Sequence, residues 1–153
     1  MRTTFRRTIA LTSLASLAAC GGTSESDEGA EAPTSVEIEA PVPQIAFADL
    51  TGDATKGELV FGQCQTCHSL EEGATGIGPS LHGLFGREAG SVEGYNYSAA
   101  NADANFTWSG EVMFNYIESP REYLPGTRMA FPGLRDAQDR ADLIAFLEAN
   151  AGG

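Results

Sequence analysis

Three well-separated stretches of the chain place their apolar residues at helical spacing. In the first, Gly57, Val60, Phe61 and Cys64 fall at i, i+3, i+4 and i+7, behind an Asp53 suited to cap the helix. Glycine inside a helix lowers its stability, so Gly57 implies that another backbone comes close at that point. In the second, Met113, Tyr116 and Ile117 share one face of a helix expected from Ser109 to Glu118 and ended by Pro120. In the third, Leu143, Ile144 and Leu147 line a helix from about Asp136 to Asn150, with Gly152 beyond its end. Between the first two, glycines at 73, 76, 78, 83, 86, 90 and 94 mark a long loop-rich stretch. No segment alternates with period two well enough to be a strand. The expected fold class is all-α with long loops, an arrangement that makes sense when the loops pack on a ligand.

The N-terminus has a different pattern. Arg2, Arg6 and Arg7 form a basic region, and the apolar run from Ile9 to Ala19 is too short to span a bilayer. It ends in Leu17-Ala18-Ala19-Cys20, similar to the bacterial lipoprotein box, in which the cysteine becomes the lipidated first residue. An ordinary secretory signal with an incidental cysteine is the plainer alternative. Arg6-Arg7 invites comparison with twin-arginine export, but the rest of that signal is absent. Residues 1–19 are therefore expected to be a lipoprotein signal peptide, with Cys20 the lipidation site.

Residues 21–49 hold seven acids and no base, and Pro33, Pro41 and Pro43 break any helix. This composition predicts a self-repelling disordered tether over residues 20–49. As a flexible coil it would span about 30 Å end to end. The remainder, residues 50–153, is expected to be one domain.

Cys64-Gln65-Thr66-Cys67-His68 changes the picture most. C-x-x-C-H is the attachment pattern of a c-type haem: each thiol can bond one vinyl carbon, and the adjacent histidine can ligate the iron. A zinc half-site or a thioredoxin-like pair shares the C-x-x-C core. Zinc calls for a second Cys/His pair, and the only other histidine, His82, stands alone. The three cysteines imply no disulfide framework, because Cys64 and Cys67 are committed to the motif and only Cys20 is left. A domain of about a hundred residues has a thin core, which a buried porphyrin would complete.

From Gly52 onward the chain resembles the class I c-type cytochromes, the mitochondrial cytochrome c and bacterial cytochrome c2 type. The resemblance runs through Gly52-Asp53, Lys56-Gly57-Glu58 and Phe61 to Gly78-Pro79-Ser80-Leu81-His82-Gly83-Leu84-Phe85-Gly86-Arg87. It continues in Tyr95-Asn96-Tyr97-Ser98, Ala100-Asn101 and Thr107-Trp108. Its last blocks are Tyr123-Leu124-Pro125-Gly126-Thr127-Arg128-Met129-Ala130-Phe131 and Asp142-Leu143-Ile144-Ala145-Phe146-Leu147. It implies three main helices, shorter ones, and long loops wrapped around one covalent haem c. It also implies that His68 and Met129 are the axial iron ligands and that the Pro79 carbonyl orients His68. Arg87, Tyr97 and Trp108 would bind or shield the propionates. Asn101, Tyr116 and Thr127 would form a buried polar network about an internal water that holds the Met129 loop. Met113 reads as core. His82 would serve a hydrogen bond within its loop. Gly57 and Phe61 would meet Leu143 and Phe146 where the first and last helices touch.

Charge departs from the mitochondrial relatives, which present lysines at the haem edge. The domain holds 14 acids against six bases (Lys56, Arg87, Arg121, Arg128, Arg135, Arg140), a net of −8 before the propionates. That excludes nucleic-acid binding and weakens long-range attraction to an acidic partner. The expected function is a tethered, monomeric one-electron carrier with no substrate chemistry of its own. It would lie on the periplasmic side of the bacterial inner membrane, anchored through Cys20. Its partners would be a bc1-type quinol–cytochrome c reductase and a terminal oxidase or photosynthetic reaction centre. The alternatives are a haem module of a larger dehydrogenase or reductase, or a peroxidase or gas sensor, which needs an open iron position.

Overall fold

A computed structural model describes residues 45–152. The expected signal peptide, Cys20 and the expected tether up to residue 44 lie outside the described residues. Five α-helices follow one another: α1 (Ala54–Phe61), α2 (Ala99–Ala102), α3 (Gly110–Glu118), α4 (Pro120–Tyr123) and α5 (Ala137–Asn150). Among the described residues there is no strand, only an isolated antiparallel bridge between Glu88 and Thr107.

Each long helix starts where a side chain satisfies its free amides. The Asp53 carboxylate accepts from the amides of Thr55 (2.9 Å) and Lys56 (3.3 Å). Ser109 Oγ accepts from the Val112 amide at 3.1 Å, and Asp136 accepts from the amides of Gln138 (2.7 Å) and Asp139 (3.1 Å). Pro120 ends the sequence pattern of α3 but also opens α4, because its fixed φ suits a first helical position.

The crossing of α1 and α5 is the structural centre. A Cβ on Gly57 would collide with the Asp142 carbonyl and approach Phe146 Cβ, so the two backbones touch there. One turn on, the rings of Phe61 and Phe146 pack 5.1 Å apart. The Asp142 carboxylate, almost wholly buried, accepts from the Asp53 amide at 2.8 Å and from Gln138 Nε2 at 2.7 Å, tying the α1 cap to α5. Helix α3 joins α5 through Arg140, whose guanidinium lies 4.2 Å from the Phe114 ring centre. Its Nη1 donates to the carbonyls of Leu134 (2.8 Å) and Arg135 (3.0 Å), and its Nη2 meets the Glu118 carboxylate at 3.4 Å.

The boundary expected between tether and domain moves. Residues Phe47–Asp49 form a 3-10 turn, and the Phe47 ring packs 5.4 Å from that of Phe114. A Cβ on Gly110 would strike the same Phe47 ring. Residues 45–49 therefore belong to the folded domain rather than to a tether reaching residue 49. An aromatic side chain gains more by covering α3 than by staying in water.

Candidate functional site

The loops between α1 and α3 and the segment after α4 enclose a cavity of about 610 Å³, within the roughly 300–1,000 Å³ usual for cofactor sites. Its lining brings together Cys64, Cys67, His68, Pro79, Arg87, Tyr97, Asn101, Trp108, Tyr116, Thr127 and Met129, residues spread over 66 positions of the chain. Met113 and Leu143, expected as core, also line it. His82 does not; its ring packs instead where a Cβ on Gly152 would fall. Its backbone takes part in the loop, the amide donating to Ser80 Oγ at 3.1 Å and the carbonyl accepting from Arg87 Nη1 at 2.5 Å.

On one wall, the turn after α1 brings the two thiols and the imidazole to the cavity. The His68 amide donates to the Cys64 carbonyl at 2.9 Å, which winds C-x-x-C-H into one turn. His68 Nδ1 donates to the Pro79 carbonyl at 2.8 Å, so Nε2 keeps the free lone pair. Burial lowers the His68 pKa, only partly opposed by the Pro79 bond, so the imidazole is neutral at pH 7 and ready to ligate. Gly78 lies flat against this ring, where any Cβ would collide with it. Burial, helped by the neighbouring Cys67, pushes the Cys64 thiol of the free chain up to about 11.

Met129 lines the same cavity. The Tyr116 hydroxyl donates to Met129 Sδ at 3.3 Å. The Met129 amide donates to Thr127 Oγ1 at 3.3 Å, and that hydroxyl donates to Asn101 Oδ1 at 3.1 Å. Ser98 Oγ donates to the same Asn101 oxygen at 3.0 Å. Asn101, Thr127 and Ser98 are thus joined by hydrogen bonds beneath the Met129 amide, and Tyr116 meets them through the Met129 sulfur. Burial raises the Tyr116 pKa, keeping its hydroxyl a donor at neutral pH. Trp108 is buried against Tyr116, its ring centre 5.0 Å away and nearly perpendicular.

Two closures of the cavity have no signal in the sequence. The Arg128 guanidinium donates to the carbonyls of Asn96 (3.0 Å) and Tyr97 (2.7 Å), pinning the Met129 segment to the Tyr97 loop. The Tyr95 hydroxyl donates to the Ile77 carbonyl at 2.7 Å, joining that loop to the one under His68. Arg87 spends its remaining reach on the Ser80 carbonyl at 3.0 Å.

These residues fit a covalently held haem. The wall is mostly apolar, two thiols stand beside one neutral imidazole, and a thioether lies in the same cavity. Among the described residues no three His, Cys, Asp or Glu side chains group into a metal site, so C-x-x-C-H has no partners there for zinc.

Comparison with known proteins agrees. The family model described as Cytochrome c matches residues 54–151. A cytochrome c of Arabidopsis thaliana is 50% identical over 107 residues, covering 69% of this chain and 96% of that protein. One from Gibberella zeae is 50% identical over 99 residues, covering 63% of this chain and 93% of its own. The solved structure of cytochrome cH from Methylobacterium extorquens superposes with a TM-score of 0.60 at 36% identity, over 64% of this chain and 99% of that one. The chain belongs to the cytochrome c family, and is an electron-transfer protein that carries one covalent haem c.

Proposed function

We propose that this cytochrome is tethered to the periplasmic face of the bacterial inner membrane through a lipidated Cys20. There it passes single electrons from a quinol–cytochrome c reductase of bc1 type to a terminal oxidase or reaction centre. The observation that carries the tethering is Leu17-Ala18-Ala19-Cys20 behind three arginines, followed by an acidic stretch without a base before the folded domain. No helix among the described residues is long and apolar enough to cross a membrane. Diacylglycerol plus an amide-linked acyl chain supplies the several chains that stable anchoring needs.

Within the site, Cys64 and Cys67 hold the haem, and His68 and Met129 ligate its iron. Bound haem supplies a one-electron couple at a single metal. The Pro79 carbonyl keeps the His68 proton on Nδ1 and so keeps Nε2 for ligation. The Tyr116 hydroxyl and the Thr127 hydroxyl hold Met129 in place from its sulfur and its amide. A thioether is a soft ligand that favours the reduced metal, which raises the potential relative to two imidazoles. Arg87, Tyr97 and Trp108 serve the propionates, which their place in the cavity lining supports.

Replacing Cys20 tests the anchor. Cells fed radiolabelled fatty acid should label the wild-type protein, and Cys20→Ser should carry no label and keep its signal peptide uncut by the lipoprotein peptidase. Label retained by Cys20→Ser refutes the site.

A further inference from the structure

Met129 begins a stretch of chain that is hydrogen-bonded at its two ends and not between them. Among the described residues, no backbone hydrogen bond holds positions 130–133. At the near end the Met129 amide donates to Thr127 Oγ1, and the Tyr116 hydroxyl donates to the Met129 sulfur. At the far end the Leu134 amide donates to the Ile117 carbonyl at 2.8 Å. Gly133, at φ +100°, lies so close to the Glu118 carbonyl that a Cβ would collide with it. Tyr116, Ile117 and Glu118 are consecutive residues of α3, so one turn of that helix receives both ends of the stretch.

Arg140 closes the far end from α5. Its side chain is almost wholly buried, and Nη1 donates to the carbonyls of Leu134 (2.8 Å) and Arg135 (3.0 Å). A plainer role would be to pair α5 with α3 through Glu118. That ion pair is longer, 3.4 Å, and its carboxylate is 41% exposed. An ion pair open to water stabilises little, whereas buried carbonyls that lose a charged donor are left unsatisfied at a real cost. The bonds to the far end of the Met129 stretch therefore outweigh the one to Glu118.

We infer that Arg140 is a positioning residue for Met129: by fixing the far end of the stretch it sets how readily the thioether leaves the iron. This rests on the reading of Met129 as an iron ligand given above. With Leu134 and Arg135 released, the Ile117 and Gly133 contacts alone hold that end, and positions 130–133 have no hydrogen bond of their own to resist displacement. Local opening of this kind needs no unfolding of the α1–α5 crossing.

Imidazole added to the ferric, haem-loaded protein reaches the iron when Met129 has left it, so its apparent affinity reports the open fraction. Followed by the haem absorption spectrum, Arg140→Met should bind imidazole about tenfold more tightly than wild type, as expected when bonds from a charged donor are lost. Arg140→Lys, which keeps the charge but not the fork, should fall between the two. In Arg140→Met the Leu134 amide should exchange with deuterium faster, while the Asp53 amide, bonded to Asp142, keeps its protection. Asp53→Ala removes the α1 cap and lowers overall stability, yet its imidazole affinity should match wild type. Wild-type affinity in Arg140→Met overturns the positioning role, as does wild-type affinity in Arg140→Lys if Arg140→Met does not accumulate. Equal tightening in Asp53→Ala overturns it too, because global stability would then explain the effect. If Met129→Ala binds imidazole no more tightly than wild type, the ligand assignment fails and the role of Arg140 with it.

Discussion

Replacing Met129 by alanine should abolish the near-infrared charge-transfer band that methionine–iron coordination gives the ferric protein. The midpoint potential should fall by roughly 0.1–0.3 V, a fraction of the about 0.8 V that axial ligation spans. Among the described residues Met129 is the thioether whose sulfur accepts from a cavity hydroxyl, and Thr127, Asn101 and Ser98 hold its loop. The wild-type ferrous protein should not bind carbon monoxide, whereas Met129→Ala should. His82→Ala should leave band and potential intact, because His82 is outside the cavity. An unchanged spectrum in Met129→Ala, or ready carbon monoxide binding by the wild type, would leave the sixth ligand elsewhere.

The fold should be sensitive to any side chain at Gly57. In an open helix, alanine in place of glycine gains about 1 kcal/mol. Here the added methyl would meet the Asp142 carbonyl, and a backbone atom inside α5 cannot move aside as a flexible side chain could. Overpacking typically costs about 1–3 kcal/mol and more where the clash is with backbone that cannot move, so the clash wins over propensity. That is a large share of the 5–15 kcal/mol that usually holds a domain together. Guanidinium unfolding of the haem-loaded protein should show Gly57→Ala losing that stability, with Gly57→Val failing to accumulate. Leu59→Ala, two residues on and exposed, should shift the midpoint little. A Gly57→Ala as stable as wild type would mean that α1 and α5 do not cross in contact.

Much of this was legible in the chain. Asp53, Ser109 and Asp136 sit where apolar spacing begins, and all three cap their helices. Gly57 stands out because an interior glycine needs a reason, and the Asp142 backbone is that reason. Of the cavity residues, Cys64, Cys67 and His68 were legible from their spacing, and the others, Thr127 and Met129 among them, only through the resemblance to class I cytochromes. What escaped depends on backbone acceptors, which every residue has and no sequence marks. Arg128 reaches the carbonyls of Asn96 and Tyr97 across some thirty residues, and Tyr95 reaches that of Ile77. Helix α2 is four residues long, too short for a period to declare itself. Phe47 follows a proline-containing acidic run and has no local partner; only the neighbouring Phe114 and Gly110 give it a place.

A tethered carrier, as proposed, would have its own kinetic signature. A soluble carrier that relies on a ring of lysines finds its partner by electrostatic steering, so its rate falls steeply with salt. This domain is acidic, and the tether proposed above would replace steering by confining it beside its partners at high effective concentration. The direct test is oxidase-coupled turnover in native membranes across an ionic-strength series, comparing the lipidated protein with a haem-loaded fragment beginning at Ile45. At equal total haem the lipidated protein should turn over much faster, and the fragment's bimolecular rate should stay flat or rise with salt as repulsion is screened. A fragment as fast as the anchored protein, with a rate that falls steeply in salt, would contradict the account and assign the work to a basic docking face.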